Sequence, residues 1–170
     1  MAADYIKTPQ TFLEFETRKN RIFGLILKNI VTLNSMAAGY SANPLFRKLG
    51  LKEGFHVKLI HAPDNYPDLI GEIFDKLHRT TTAGTGLDFI HFFPKTIAEL
   101  EKILPRLKTE IKKNGMIWIS WYKTSSGKKS ELTENIVRDT ALAVGLVDVK
   151  VCAIDEDWSG LKLVIRLRDR

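Results

Sequence analysis

Two apolar runs of strand length, Leu87-Asp-Phe-Ile-His-Phe-Phe93 and Met116-Ile-Trp-Ile-Ser-Trp-Tyr122, leave almost no polar face to put in water. Strands of that kind occur where helices cover both sides of a parallel sheet. The segment between them supplies one such cover. Thr96 and Glu99 form a T-x-x-E capping box, after which Ile97, Leu100, Leu104, Leu107 and Ile111 recur at helical intervals. Pro105 is expected to kink or divide this helix, and Asn114-Gly115 to end it.

The same alternation extends to both sides. Asn43-Pro44 opens a short helix (Leu45, Phe46, Leu49), which Gly50 and Gly54 break before a strand over 55–61. Tyr66 to Leu77 places Leu69, Ile70, Ile73, Phe74 and Leu77 on one helical face, and His78 to Thr82 reads as a short strand ended by Ala83-Gly-Thr-Gly86. Beyond the polar loop Lys123 to Ser130, a helix is expected near 132–144, apolar at Ile136, Val137, Ala141 and Val144 and closed by Gly145. Val147 to Ile154 and Leu161 to Leu167 are two further strands. Their short link, Asp155 to Gly160, favours an antiparallel pair, because a parallel crossover needs about a dozen residues or more.

A chain of 170 residues, 44% of them hydrophobic, suits one domain with room for an appendage. The 26 Lys and Arg against 20 Asp and Glu give a net charge of +6, a balance that favours acidic partners. In 96–113 and 131–139, however, the basic residues are interspersed with acids, as on a solvated helix face, which argues against a nucleic-acid stripe. Lys123, Lys128 and Lys129 are the exception. The single cysteine, Cys152, lies in the apolar run Val149 to Ile154 and has no partner for an internal disulfide, so it reads as an inert thiol in a reducing cytoplasm. His56, His61, His78 and His91 are dispersed and offer no metal-ligand spacing.

Residues 1–40 form an N-terminal extension, helical or flexible, of different pattern. Arg18-Lys-Asn-Arg21 before Ile22 to Leu27 mimics a signal peptide, but Lys28 and Asn29 interrupt the apolar run, which falls short of the about 20 residues a membrane span needs. Two readings stand: an amphipathic accessory helix over 11–33, or translated upstream sequence ahead of a start at Met36, the second being favoured.

The link from the first strand to its helix is His61-Ala-Pro-Asp-Asn65. In a dinucleotide or S-adenosylmethionine site this turn is glycine-rich, so that the backbone can approach the ligand. Here it holds a proline and no glycine, and no cofactor, metal or catalytic residue is assigned. If the first strand lies beside 87–93, the crevice beyond the carboxyl ends of the strands is lined by His61, Asp64, Phe93, Lys95, Trp121 and the loop at Lys123. His61 beside Asp64 is able to orient an imidazole for acid/base work, against the plainer reading of a strand-end histidine and an Asx turn. Lys123-Thr-Ser-Ser-Gly-Lys-Lys-Ser130 offers an anion Lys123, Lys128, the Ser125 and Ser126 hydroxyls and the Gly127 amide ahead of a helix, against the plainer reading of a solvated loop. It is not a Walker A loop, since Tyr122 stands where that pattern needs glycine. Asp155-Glu-Asp157 reads as a solvated hairpin tip. Trp158 reads as packing over the sheet edge or a partner, and Trp118 and Trp121 fall on opposite faces of their strand.

With Asn43-Pro-Leu, Lys48-Leu-Gly-Leu, His61-Ala-Pro, Trp118-Ile-Ser-Trp121, Leu132-Thr-Glu134, Gly145-Leu-Val-Asp-Val-Lys-Val-Cys-Ala-Ile-Asp155 and Trp158-Ser-Gly-Leu161, the chain from 41 to 170 resembles a bacterial family of unknown function with a small, degenerate class I methyltransferase-like domain. The resemblance implies an α/β fold: a shortened Rossmann-like three-layer sandwich, its sheet mostly parallel with an antiparallel C-terminal edge hairpin. The leading expectation is a non-catalytic module that binds a small anionic metabolite or a protein partner. The alternative is an S-adenosylmethionine-dependent methyltransferase, and the third reading, resting on net charge alone, is a nucleic-acid-associated accessory protein. Every segment with a clear apolar face lies after Asn43 except 11–33, so a chain lacking Met1 to Ser35 should keep a single cooperative unfolding transition in a urea melt. Loss of that transition would place the deleted segment in the core.

Overall fold

The computed structural model describes residues 43–170, and the expectations for the N-terminal extension lie outside them. Pro44, with its φ of −52°, leads into helix α1 (Leu45–Leu49), which Gly50 ends in the left-handed conformation, at φ 81°. Strand β1 (His56–Ile60) is followed by helix α2 (Tyr66–Ile70), strand β2 (His78–Thr80) and strand β3 (Leu87–Phe92). Helix α3 (Ile97–Glu110), strand β4 (Ile111–Tyr122), helix α4 (Glu134–Ala143) and the hairpin β5 (Leu146–Ala153) and β6 (Trp158–Ile165) complete the order.

The strands form one sheet in the order β2-β1-β3-β4-β6-β5. The first four are parallel, while β6 runs antiparallel to both β4 and β5. This is the expected Rossmann-like α/β sheet with an antiparallel edge pair. Its layering follows from the two-residue period of the strands. Ile90, Phe92, Ile117, Ile119, Leu161 and Leu163 join Leu100, Leu104 and Leu107 of α3 and Val137 and Ala141 of α4 in one core. Val57, Phe89, Phe93 and Trp118 join Leu45 and Leu49 of α1 and Tyr66 and Ile70 of α2 in the other. Trp118 and Trp121, on opposite faces as expected, are both buried, one in each core. Among the described residues, no helix is long and apolar enough to cross a membrane.

Four local expectations are corrected. The helix read over Tyr66 to Leu77 divides at Gly71, whose φ of 67° and ψ of −146° favour glycine, and continues as a 3-10 turn over Gly71–Lys76. Pro105 does not divide α3; it lies on the exposed side, where the carbonyl it leaves without a helix partner can face water. That helix ends at Glu110 rather than at Asn114-Gly115, because Ile111 already pairs with Leu87 of β3. The register shifts before Phe89 pairs with Met116, and a Cβ on Gly115 would come within 2.8 Å of the Leu87 carbonyl. Gly115 thus serves close strand approach. Finally, β6 starts at Trp158, where Ile154 N donates to Trp158 O at 2.9 Å and closes a tighter hairpin than the one read from sequence.

Polar side chains inside these cores each have a partner, although among the described residues Glu110 Oε1 itself accepts no hydrogen bond and has only Arg106 Nε at 3.4 Å. Lys58 of β1 meets Glu110 of α3 at 2.7 Å, both buried. The other buried group is a chain: the Tyr66 hydroxyl lies 2.8 Å from His91 Nδ1, and His91 Nε2 lies 2.8 Å from Ser120 Oγ. A neutral imidazole has one donor and one acceptor nitrogen, and hydroxyls at both ends satisfy both. A Cβ on Gly160, opposite Ser120 in the register, would lie 2.9 Å from that serine hydroxyl, so glycine leaves the space the chain needs. Burial pushes the Tyr66 phenol up and lowers His91 from 6.5 to about 3.

The folded protein therefore refuses a proton that the unfolded chain accepts below pH 6.5. His91 contributes stability that is present above that pH and lost as the pH falls toward about 3. Its share should be about 1.4 kcal/mol per pH unit in this window, the linkage value for one proton. Urea melts between pH 7 and pH 4.5 should show a slope in the native protein that is shallower by this amount in His91→Gln. Equal slopes would mean that His91 is not held neutral.

Candidate functional site

The carboxyl ends of the parallel strands gather most of the residues singled out above. At the end of β1, His61 adopts a left-handed φ of 53°, and the turn closes with Tyr66 N donating to Pro63 O at 2.9 Å. His61 Nδ1 lies 3.2 Å from Glu99 Oε1, in the first turn of α3. Asp64 is exposed, and the partner of His61 is Glu99 instead. The start of the helix is fastened here: the Thr96 side chain caps it by accepting from Glu99 N at 3.1 Å, and Glu99 Oε2 accepts from Lys95 N, just before the cap, at 2.7 Å. Since α3 follows β3, the His61–Glu99 pair crosses from one strand to the next at the point where strand order reverses. That is where ligands of open α/β sheets bind.

One strand further along, at the end of β4, an open cavity of about 860 Å³ lies between the loop 123–134 and the sheet. Lys95, Trp121, Lys123, Gly127 and Lys128 line it together with Lys129, which the sequence marks only by its charge. His61, Asp64, Ser125 and Ser126 do not. Ser126 is engaged within its own 3-10 turn, donating to Lys123 O at 2.7 Å and accepting from Lys128 N at 3.2 Å, while Ser125 is exposed.

Charge in this cavity is unevenly spent. Both lining carboxylates are committed: Glu131 Oε1 accepts from Ile97 N at 2.8 Å, and Glu134 pairs with Arg138. Lys123 Nζ donates to the Asp155 carbonyl, and Lys128 Nζ pairs with Asp157 at 2.6 Å, a hydrogen bond that raises the lysine's pKa. Neither Lys95 nor Lys129 has an ion-pair partner among the described residues. The cavity is left with a net positive lining.

The hairpin tip borders this loop. Asp155 Oδ1 accepts from the amides of Asp157 and Trp158 at 2.8 and 2.7 Å, and Lys123 N donates to Asp157 O at 2.8 Å. The acids expected to be a solvated tip are thus partly a fastening for the loop. Trp158 packs over the sheet end, edge-on to Phe93 at 5.0 Å and stacked on Tyr122 at 3.8 Å. Burial pushes the Cys152 thiol up, with Lys150, Lys48 and Lys123 opposing, which suits an inert group. Among the described residues no three His, Cys, Asp or Glu side chains are grouped to hold a metal.

No family model matches the chain, and no curated protein matches it. Solved structures do. An S-adenosylmethionine-dependent methyltransferase from Aquifex aeolicus aligns over 72% of this chain and 88% of its own, at 15% identity and a TM-score of 0.51. A TehB-like methyltransferase of the same dependence from Corynebacterium glutamicum aligns over 88% of this chain and 100% of its own, at 10% identity and a TM-score of 0.47. The Aquifex likeness shows the fold: this is a methyltransferase-like, Rossmann-type domain. The residues here do not fit the cofactor's usual cradle. Besides the glycine-free turn and the His61–Glu99 pair, no acid lies between Arg79 and Gly86 to hold ribose hydroxyls at the end of β2.

Asp155 accepts two charge-assisted hydrogen bonds from the tip backbone, and hydrogen bonds to charged groups contribute about 1.5–3 kcal/mol each. Asp155→Ala should lower stability by about 1–3 kcal/mol in a urea melt, since water replaces part of the loss at this partly buried site. A change within about 0.5 kcal/mol, the usual scatter of surface substitutions, would mean that the tip is not organised by this carboxylate.

Proposed function

We propose that this domain binds a small anionic ligand in the cavity at the end of β4, acting as a binding module rather than through catalysis. One observation carries the reading: lysines from two segments line a cavity whose carboxylates are already engaged. Aromatic surface at Trp121 offers an apolar wall beside the ammonium groups. Lysine provides a movable point charge, which selects for charge before shape.

The second reading is S-adenosylmethionine-dependent methyl transfer. The likeness of fold to the Aquifex protein favours it over a module without catalysis, whereas the turn at His61 to Asn65 weighs against it. Pro63 removes an amide donor there, and side chains occupy positions where glycine would let a cofactor approach.

Both readings are decided by binding. A thermal-shift screen of phosphorylated metabolites and nucleotides at low salt should yield a stabilising ligand, because a ligand bound by the native state alone raises apparent stability. Lys95→Ala with Lys129→Ala should weaken that ligand by about ten-fold or more, the loss of hydrogen bonds to charged groups, and leave the melting temperature of the free protein unchanged. Calorimetric titration with micromolar S-adenosylmethionine should give no saturable heat; a one-to-one micromolar complex would transfer the conclusion to the methyltransferase reading.

A further inference from the structure

We propose that Asp157 is a built-in competitor for the anion, a carboxylate that holds Lys128 and must be displaced before a phosphate monoester can take that lysine. The inference rests on the anion-binding reading above. Asp157 Oδ2 lies 2.6 Å from Lys128 Nζ, and Lys128 both lines the cavity and stands over the Tyr122 ring, 4.9 Å from its centre. The Asp157 carboxylate is half-exposed and has no other hydrogen bond or ion pair among the described residues, while its backbone groups hold the tip. Its side chain is therefore free to leave the lysine without unmaking the hairpin.

An incoming carboxylate that takes Lys128 from Asp157 exchanges one negative charge for another and leaves the displaced carboxylate beside it. The net electrostatic gain is small. A phosphate monoester brings a charge of about −1.5 to −2 and three acceptor oxygens. With these it can satisfy Lys128 and meet Lys95 or Lys129 at the same time, two cations that Asp157 leaves without a counterion. The acid thus lowers the affinity of either anion, and the extra charge of the phosphate is what offsets its displacement.

Phenyl phosphate and benzoate are suitable probes, with an aromatic ring in common and binding followed calorimetrically at pH 7.5 and fixed ionic strength. The native protein should bind phenyl phosphate about ten-fold more tightly than benzoate, given its larger charge and extra acceptors. Asp157→Asn should raise the affinity for both probes several-fold, because each must displace the carboxylate from Lys128, whereas Glu156→Gln, an exposed neighbour, should change neither affinity. Affinities for both probes left unmoved by Asp157→Asn would overturn the role of Asp157 and leave the cavity reading in place. Absence of binding for both probes in both proteins would overturn the two together.

Discussion

His91 hydrogen-bonds through both ring nitrogens, and the carboxyl end of this sheet is arranged around it. Tyr66 is the first residue of the helix that follows β1, and Ser120 stands beside Trp121, which lines the cavity. A histidine on β3 with a hydroxyl on either side therefore couples the turn after β1 to the end of β4 across the interior. Each of these groups is fully buried or nearly so, and leaving one unpaired would cost about 1–3 kcal/mol. The chain is an all-or-none arrangement. It extends to β6 through Gly160, the position that must lack a side chain for Ser120 to stand where it does.

Much of this architecture is legible in the amino-acid sequence because burial on two faces leaves continuous apolar runs, and burial on one helix face leaves a period. The T-x-x-E box marks the start of α3: Glu99 N donates to the Thr96 side chain as expected, while the Glu99 carboxylate accepts from Lys95 N, one residue before the cap. What is not legible depends on pairing between distant segments. Ile111 continues the helical period of α3 yet joins β4, because Leu87 lies opposite. The second oxygen of Glu99 reaches His61, a partner that local spacing does not reveal, while Asp64, three residues from His61, does not take that place. His91 and Ser120 were hidden as lone polar residues inside apolar strands. That mismatch was the available signal, since a polar residue fully inside a core needs partners.

The cavity was legible only in part, for a related reason. A loop rich in lysine, serine and glycine before a helix reads as a place for an anion, and Lys123, Gly127 and Lys128 line the space together with Lys95 and Trp121. The sequence does not show that two of these lysines are held by the β5–β6 tip, because that contact exists only when β6 lies antiparallel beside β4. Proximity in the chain alone assigns Ser125 and Ser126 to the site. A single 3-10 turn takes them out of it.

Fold and site diverge at the reversal point of the sheet. In a methyltransferase-like domain the crevice between β1 and β3 is the natural seat of a ligand, and here a histidine and a glutamate meet across it. Lysine charge instead collects one strand over, beside an acid supplied by the edge hairpin. An antiparallel last strand therefore does more than finish the sheet. By returning beside β4 it brings the Asp155 carbonyl to Lys123 and the Asp157 carboxylate to Lys128, so the topology that distinguishes this edge also supplies a counter-charge to one of the lysines lining the cavity.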